Sequence, residues 1–393
     1  MKFFINSYFG DNQSIGLLSH KKRLPYGMDD QWMVFSHYTE RGWTVDNLWH
    51  IFTDFYGGQY APLAFLSYLV LYAGFGYDPF YFHMFSLLLH IGCVCLVWKL
   101  ISSLLRVHGG VSEKQILYVN FITTLLFAVH PINVEAVAWI SALKVLLYAF
   151  FYLLGLLCYL RYIRTSKIFY YVLTIGCFLC SFWGKEQAVT FPLALLIVDW
   201  FTNRNMKNLE VWSEKMSFLI MAFFFGIITV LSQGKGPYEM IFPLYQRLLF
   251  GCFALVEYIT KSLLPVNLNF FYPFPIVLGE EPPLHYYLYP VVLLFLMGWI
   301  IAYRNNRYLV FGVLLFLVNL LFSIHLFNMS RHAIVADRYM YLSYVGIAFL
   351  IANGIWWLRK RLSYFKAALV FLFFYCFFLS VYTFHYTKKW ENT

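Results

Sequence analysis

Ionisable side chains stand inside otherwise apolar sequence at five places. Asp29 and Asp30 are adjacent in LPYGMDDQWMVF (residues 24–35), His130 and Glu135 lie in FAVHPINVEAVAW (127–139), and Lys144 follows in ISALKV (140–145). Lys185 and Glu186 occupy FWGKEQAVTFP (182–192), and Asp337 and Arg338 occupy VADRYMYLS (335–343). Two neighbouring carboxylates do not ionise independently. Mutual repulsion and partial burial raise the pKa of at least one, which suits a base that must hold a proton. The same pair also reads as a solvated turn after Pro25 and Gly27, or as a structural acid pair. Asp30 is alternatively a ligand for a divalent cation, although two carboxylates fall short of the six or more oxygens that a hard cation takes. A charge at mid-bilayer costs about 2.5–3.5 kcal/mol, so ionisable groups embedded in membrane sequence are read first as functional.

The elements that must position these groups are membrane helices. Of 393 residues, 61% are hydrophobic and 12% charged, against about 25% charged in a soluble domain. A spanning helix needs roughly 17–25 mostly apolar residues. Ten segments meet or approach that length: about 80–105, 115–130, 145–163, 168–184, 188–202, 214–232, 286–303, 308–326, 340–357 and 366–386. Residues 61–76 form a shorter run, and 246–264 carry Arg247, Glu257 and Lys261; both are expected to be interfacial or re-entrant helices on one face. The fold class is therefore all-α and integral to the membrane. The first 18 residues are too broken by polar side chains to be a signal peptide or a span. All seven cysteines lie in apolar runs, and the Cys177/Cys180 pair has no second ligand pair nearby, so buried inert thiols are expected.

A net charge of +10 could point to nucleic acid, but in a multispan protein it reports topology, and no nucleic-acid partner is expected. One set of loops holds fifteen Lys and Arg, among them Arg161, Arg164 and Lys167, against four acids (Glu113, Asp199, Glu210 and Glu214). These loops are short, so that face is expected to be cytoplasmic. The opposite face takes the other 15 acids and all five stretches described above.

Four blocks carry a family resemblance. LLFAVHPINVEAVAWISALKVLLYAFFYLLGLLCYLRY (125–162), GKEQAVTFPLALLIVDW (184–200), LLPVNLNFFYPFP (263–275) and VADRYMYLSYVGI (335–347) follow MDDQW in that order. Together, over roughly residues 24–390, they resemble GT-C glycosyltransferases of the transmembrane and tetratricopeptide-repeat O-mannosyltransferase type and their bacterial relatives. MDDQW sits where that family carries its paired acids in the first luminal loop. The chain departs from the family pattern in three ways. No span is visible before the paired acids. Ser141, Ala142, Leu143, Lys144 and Val145 stand where relatives often read Ser-Glu-Arg-Lys-Asp. No tetratricopeptide array follows KKWENT.

The resemblance implies a GT-C-like bundle of about 10 transmembrane helices, with interfacial or re-entrant helices on the non-cytoplasmic face. Residues 1–79 would form a first loop with the paired acids, 80–386 the bundle and 387–393 a short tail. It implies inverting transfer of a sugar, mannose in this family, from a polyprenyl-phosphate donor to a hydroxyl of a protein or glycan acceptor. The membrane would be a bacterial inner membrane, or the endoplasmic reticulum in a eukaryote, with the site periplasmic or luminal. Asp29 is then the candidate base, with Asp30 as its partner or as the group that fixes the acceptor. Arg338 is the candidate grip on the lipid phosphate, since a guanidinium offers a fork of donors and stays charged near lipid; an ion pair with Asp337, or an interfacial anchor, is the plainer alternative. Lys185 and Lys144 are further phosphate ligands, with Glu186 offsetting Lys185. His130, Glu135 and Asp337 are supporting groups, and His130 also reads as a plain cap. The Tyr/Phe-rich run from Asn267 to Pro275 lines the acceptor or sugar site, or simply lies at the membrane interface. A transporter or lipid flippase, and a non-catalytic relative, are the competing readings.

Overall fold

Helix boundaries follow local chemistry. The computed structural model describes residues 30–233, 242–326 and 333–390. Three short helices open it: α1 (Asp30–Met33), α2 (His37–Glu40) and α3 (Val45–Thr53), the last capped by Thr44, which accepts from the Asn47 N–H. Pro62 occupies the first turn of α4 (Pro62–Phe75), where a missing N–H costs nothing. Asp78 caps α5 (Pro79–His108), and Ser112 caps α6 (Glu113–Val129). The residue before a proline leaves helical geometry, so α6 stops at His130-Pro131 and the chain bends by 51° into α7 (Val134–Ala138). Then follow α8 (Leu143–Thr165), α9 (Ile168–Gly184), α10 (Phe191–Phe201), α11 (Leu209–Gln233) and α12 (Leu244–Leu263). Strand β1 (Tyr272–Pro273), α13 (Leu288–Ala302), α14 (Arg307–Leu320), strand β2 (Ala333–Val335), α15 (Met340–Trp357) and α16 (Leu362–Thr387) complete the chain. The two strands pair antiparallel, with Tyr272 opposite Val335.

The protein is an all-α, multi-pass membrane protein, 79% helical. Among the described residues six helical stretches are long and apolar enough to cross a membrane, or seven where the bent α6–α7 pair is taken as one span. Each of the ten expected segments contains a helix, although 308–326 is helical only to Leu320. Ile168–Gly184 and Arg307–Leu320 are shorter apolar helices, and α10 has 11 residues because Glu186–Thr190 ahead of it winds as a 3-10 turn. Neither α4, with 14 residues, nor α12, with its three charges, is among the six.

The stretch Ile140–Thr165 is the central pillar, 78% buried in its apolar window against 6% for Leu284–Ala302. α8 packs on α9 and α5, while α15 packs on α14 and α6. Buried hydroxyls tie helices together, as small polar contacts do in membrane bundles. The Tyr148 hydroxyl donates to Asn319 Oδ1 at 3.2 Å, and that of Tyr341 lies 2.7 Å from His90 Nδ1. The end of α6, the starts of α8 and α15, the end of α9 and the short α1 all meet at one end of the bundle, where the candidate groups collect.

Candidate active site

The site forms in two halves on either side of Trp139. In the first, Asp30 opens α1 and is buried, and its Oδ1 accepts from the Ser141 N–H at 2.9 Å and from the Ser141 hydroxyl. Ser141 lies in the 3-10 turn Ile140–Ala142 that leads into α8, three residues before Lys144 in the first turn of α8. The buried Lys144 Nζ reaches Gln59 Oε1 at 2.5 Å and lies 3.5 Å from Met33 Sδ. Gln59 is aimed by a tight turn in which Tyr56 and Gln59 exchange both backbone hydrogen bonds at 3.1 Å. Gly57 and Gly58 supply the positive φ that such a turn requires. A Cβ on Gly57 would stand 2.6 Å from the Trp32 ring, which seals the turn against α1.

In the second half, Arg338 sits in the 3-10 turn Asp337–Tyr339 ahead of α15. The buried Glu135 takes it twice, once through the guanidinium and once through the Arg338 N–H at 2.6 Å. The guanidinium lies over the Trp139 and Tyr339 rings, 5.1 Å from each centroid, and Lys185 Nζ lies 4.7 Å from the same Tyr339 ring. Trp139 is two residues from Ser141, so the segment that floors Arg338 also holds Asp30.

Asp337 turns the other way. The Tyr272 hydroxyl lies 3.1 Å from both of its oxygens, and Lys261 Nζ lies 3.8 Å from Oδ1 and 2.7 Å from the Tyr272 oxygen. Burial, and then the Asp337 charge, hold the Tyr272 phenol above its ordinary range, so it stays a donor. The plainer alternative for Arg338, a pair with neighbouring Asp337, is thus replaced by a pair with Glu135. Consecutive residues point to different sides of a helical turn.

The remaining expected groups are placed as follows. Asp29 lies outside the described residues. His130 is buried at the α6 break, where its Nδ1 accepts from the Ile132 N–H at 3.2 Å and its ring packs 4.2 Å from Tyr344; this is a structural cap. Glu186 opens its 3-10 turn half-buried. The aromatic run delivers Tyr272 to Asp337 and leaves the Phe270 and Phe271 rings exposed. Sequence reasoning missed Gln59, Trp139, Tyr339 and Lys261. Only Lys261 carried a local signal, its spacing of four from Glu257. It also missed the far end of the bundle, where Asp199 and Lys215 are fully buried and joined with Tyr159, Arg204 and Glu214.

Among the described residues no group of three or more His, Cys, Asp or Glu side chains could hold a metal ion. A cleft of about 480 Å³ between the end of α6 and the Ser380–Lys388 stretch, and another of about 410 Å³ in the first loop, are lined by neither Asp30 nor Arg338.

No family model matches the chain, and no solved structure matches it. It is 32% identical over 189 residues, 44% of its length, to Protein O-mannosyl-transferase TMTC2 of Mus musculus, and covers 21% of that protein. It is 28% identical over 172 residues to Protein O-mannosyl-transferase Tmtc3 of Drosophila melanogaster, covering 39% of this chain and 18% of that one. With Protein O-mannosyl-transferase TMTC4 of Homo sapiens it shares 31% identity over 167 residues, 37% of this chain and 22% of the relative. The chain is a relative of these proteins, and the match spans about a fifth of their length.

Proposed function

We propose that the protein is a glycosyltransferase that moves a sugar, mannose by the relatives' names, from a polyprenyl phosphate to a hydroxyl of a protein acceptor at the non-cytoplasmic face. The observation that carries this reading is the convergence, across Trp139, of the Asp30–Ser141–Lys144 group and the Glu135–Arg338–Lys185 group at one end of a membrane bundle. In this reaction the Asp29–Asp30 pair takes the acceptor's proton as its oxygen attacks the anomeric carbon. The bond from that carbon to the phosphate oxygen breaks, with inversion, and the phosphate leaves with the electron pair. Lys185 and Arg338 stabilise the growing charge on the phosphate. Glu135 fixes the guanidinium and offsets part of its charge, and Lys185 adds a second cation beside it.

The test is transfer of labelled mannose from a polyprenyl-phosphate donor to a Ser/Thr peptide by the purified full chain. Asp29→Asn is expected to lower kcat by at least about a hundredfold. Unchanged turnover in that variant removes Asp29 as the base, and absence of transfer with every sugar donor overturns the reading.

A further inference from the structure

The cleft of about 410 Å³ in the first loop is walled by His37 and Tyr38 on one side and by Thr53, Asp54, Phe55 and Tyr56 on the other. Of these residues only Tyr56 also serves the site above, through the backbone of the turn that aims Gln59. Their arrangement is nevertheless built: His37 and Tyr38 rings lie 3.9 Å apart, Tyr56 meets both at 5.2 and 5.4 Å, and Tyr38 and Tyr56 each pack edge-on against Phe65. Asp54 Oδ2 accepts from the Tyr38 hydroxyl at 2.9 Å and lies 3.1 Å from His50 Nδ1. Burial, and then Arg41, hold the His37 imidazole below its usual range, and Asp54 is the carboxylate that lines the cleft.

We infer that this cleft is the docking site of an extended acceptor peptide, beside the Asp30–Lys144 centre; the inference rests on the transferase reading. Three features select a peptide. The cleft is on one side of the Tyr56–Gln59 turn, and Gln59 on the other side touches Lys144, one helical turn from Ser141 and Asp30. A single sugar in the cleft cannot reach across that turn, whereas an extended peptide advances roughly 3.3 Å per residue and crosses it in a few. With Oδ2 committed and Oδ1 already 3.5 Å from the Thr53 hydroxyl, Asp54 has room for one backbone N–H. A hexose ring presents several hydroxyls and calls for several converging partners. The flanking rings suit apolar side chains that alternate along an extended strand.

The probe is a short fluorescein-labelled peptide of alternating Thr and Val, added to the detergent-solubilised full chain, with anisotropy read alongside mannosyl transfer. Wild type and Asp30→Asn are expected to bind it equally. Asp54→Asn and Tyr56→Leu are expected to bind it about tenfold more weakly and to raise KM for the peptide by a similar factor, with KM for the donor unchanged. Tyr38→Phe, which keeps the ring, checks folding by its elution profile and loses only the hydroxyl contact. Equal peptide binding by all variants, absence of binding to wild type, or displacement of the peptide by mannose oligosaccharides overturns the assignment. Peptide binding that depends on Asp54 and Tyr56, in a protein that transfers no sugar, sinks the transferase reading and leaves the cleft standing.

Discussion

At the scale of single residues the decisive contact is Glu135 with Arg338. Glu135 is buried and Arg338 partly so, and such an ion pair is fragile in one direction: removing Arg338 strands Glu135 in low dielectric. Arg338→Ala is expected to cost about 3–5 kcal/mol, read as a lower Tm in detergent. Stability alone does not separate a phosphate grip from a structural clasp. The double variant Glu135→Gln/Arg338→Gln removes both charges and is expected to recover most of the Tm while remaining without transferase activity. If that double variant turns over normally, the pair holds α7 to the start of α15 and does nothing to substrate. Asp337 illustrates the same logic from the other side: Tyr272 and Lys261 answer its carboxylate, so it does not compete with Glu135 for the guanidinium.

At the scale of elements, helix crossings set how closely those residues approach. Gly312 on α14 faces Gly346 on α15, and a Cβ on Gly346 would stand 2.5 Å from the Gly312 carbonyl oxygen and 2.8 Å from the Phe316 nitrogen. Small residues at such a crossing let two backbones touch, which is how helices associate in lipid. Gly346→Val is therefore expected to destabilise the bundle by about 1–3 kcal/mol, the usual cost of overpacking. Gly298→Val, on the outward helix with nothing within 4 Å of its Cβ, is expected to leave Tm unchanged. Equal effects of the two would mean that α14 and α15 are not packed this closely. The helices themselves were legible in the sequence, because hydropathy and the caps Asp78 and Ser112 are local signals. The charged blocks were legible too, since ionisable groups stand out against lipid-like sequence. Their partners were not. Ser141 and Asp30 are 111 residues apart, and Arg338 and Glu135 are 203 apart, so no periodicity or spacing links them. Gln59 is a neutral residue in a Gly-Gly turn, and nothing in its own surroundings announces that it meets Lys144.

At the scale of the molecule, the two ends of the bundle differ in kind. The site end pairs buried carboxylates with cations around Trp139. The far end binds α8, α10 and α11 through Asp199, Tyr159, Lys215, Arg204 and Glu214, and beside it Arg307 donates to the Trp200 carbonyl at 2.9 Å. Asp199 and Glu214 were counted in the sequence as loop acids, whereas the fold turns them inward against two of the counted cations, Arg204 and Lys215, so the net charge of that end is the same and the remaining loop charge is basic. The proposed topology keeps short basic loops on the cytoplasmic side; it therefore expects the site end outside and α13, between the two, crossing the membrane. Asn269 and Asn305 flank α13 and are both exposed. In a background with the seven cysteines replaced by alanine, an impermeant maleimide is expected to label Asn269→Cys in intact cells and Asn305→Cys only after permeabilisation. The reverse pattern would place the site on the cytoplasmic face, where a donor carried on the outer leaflet could not reach it. Labelling of both positions from the same side would mean that α13, the least buried helix of the bundle, lies along the membrane instead of through it.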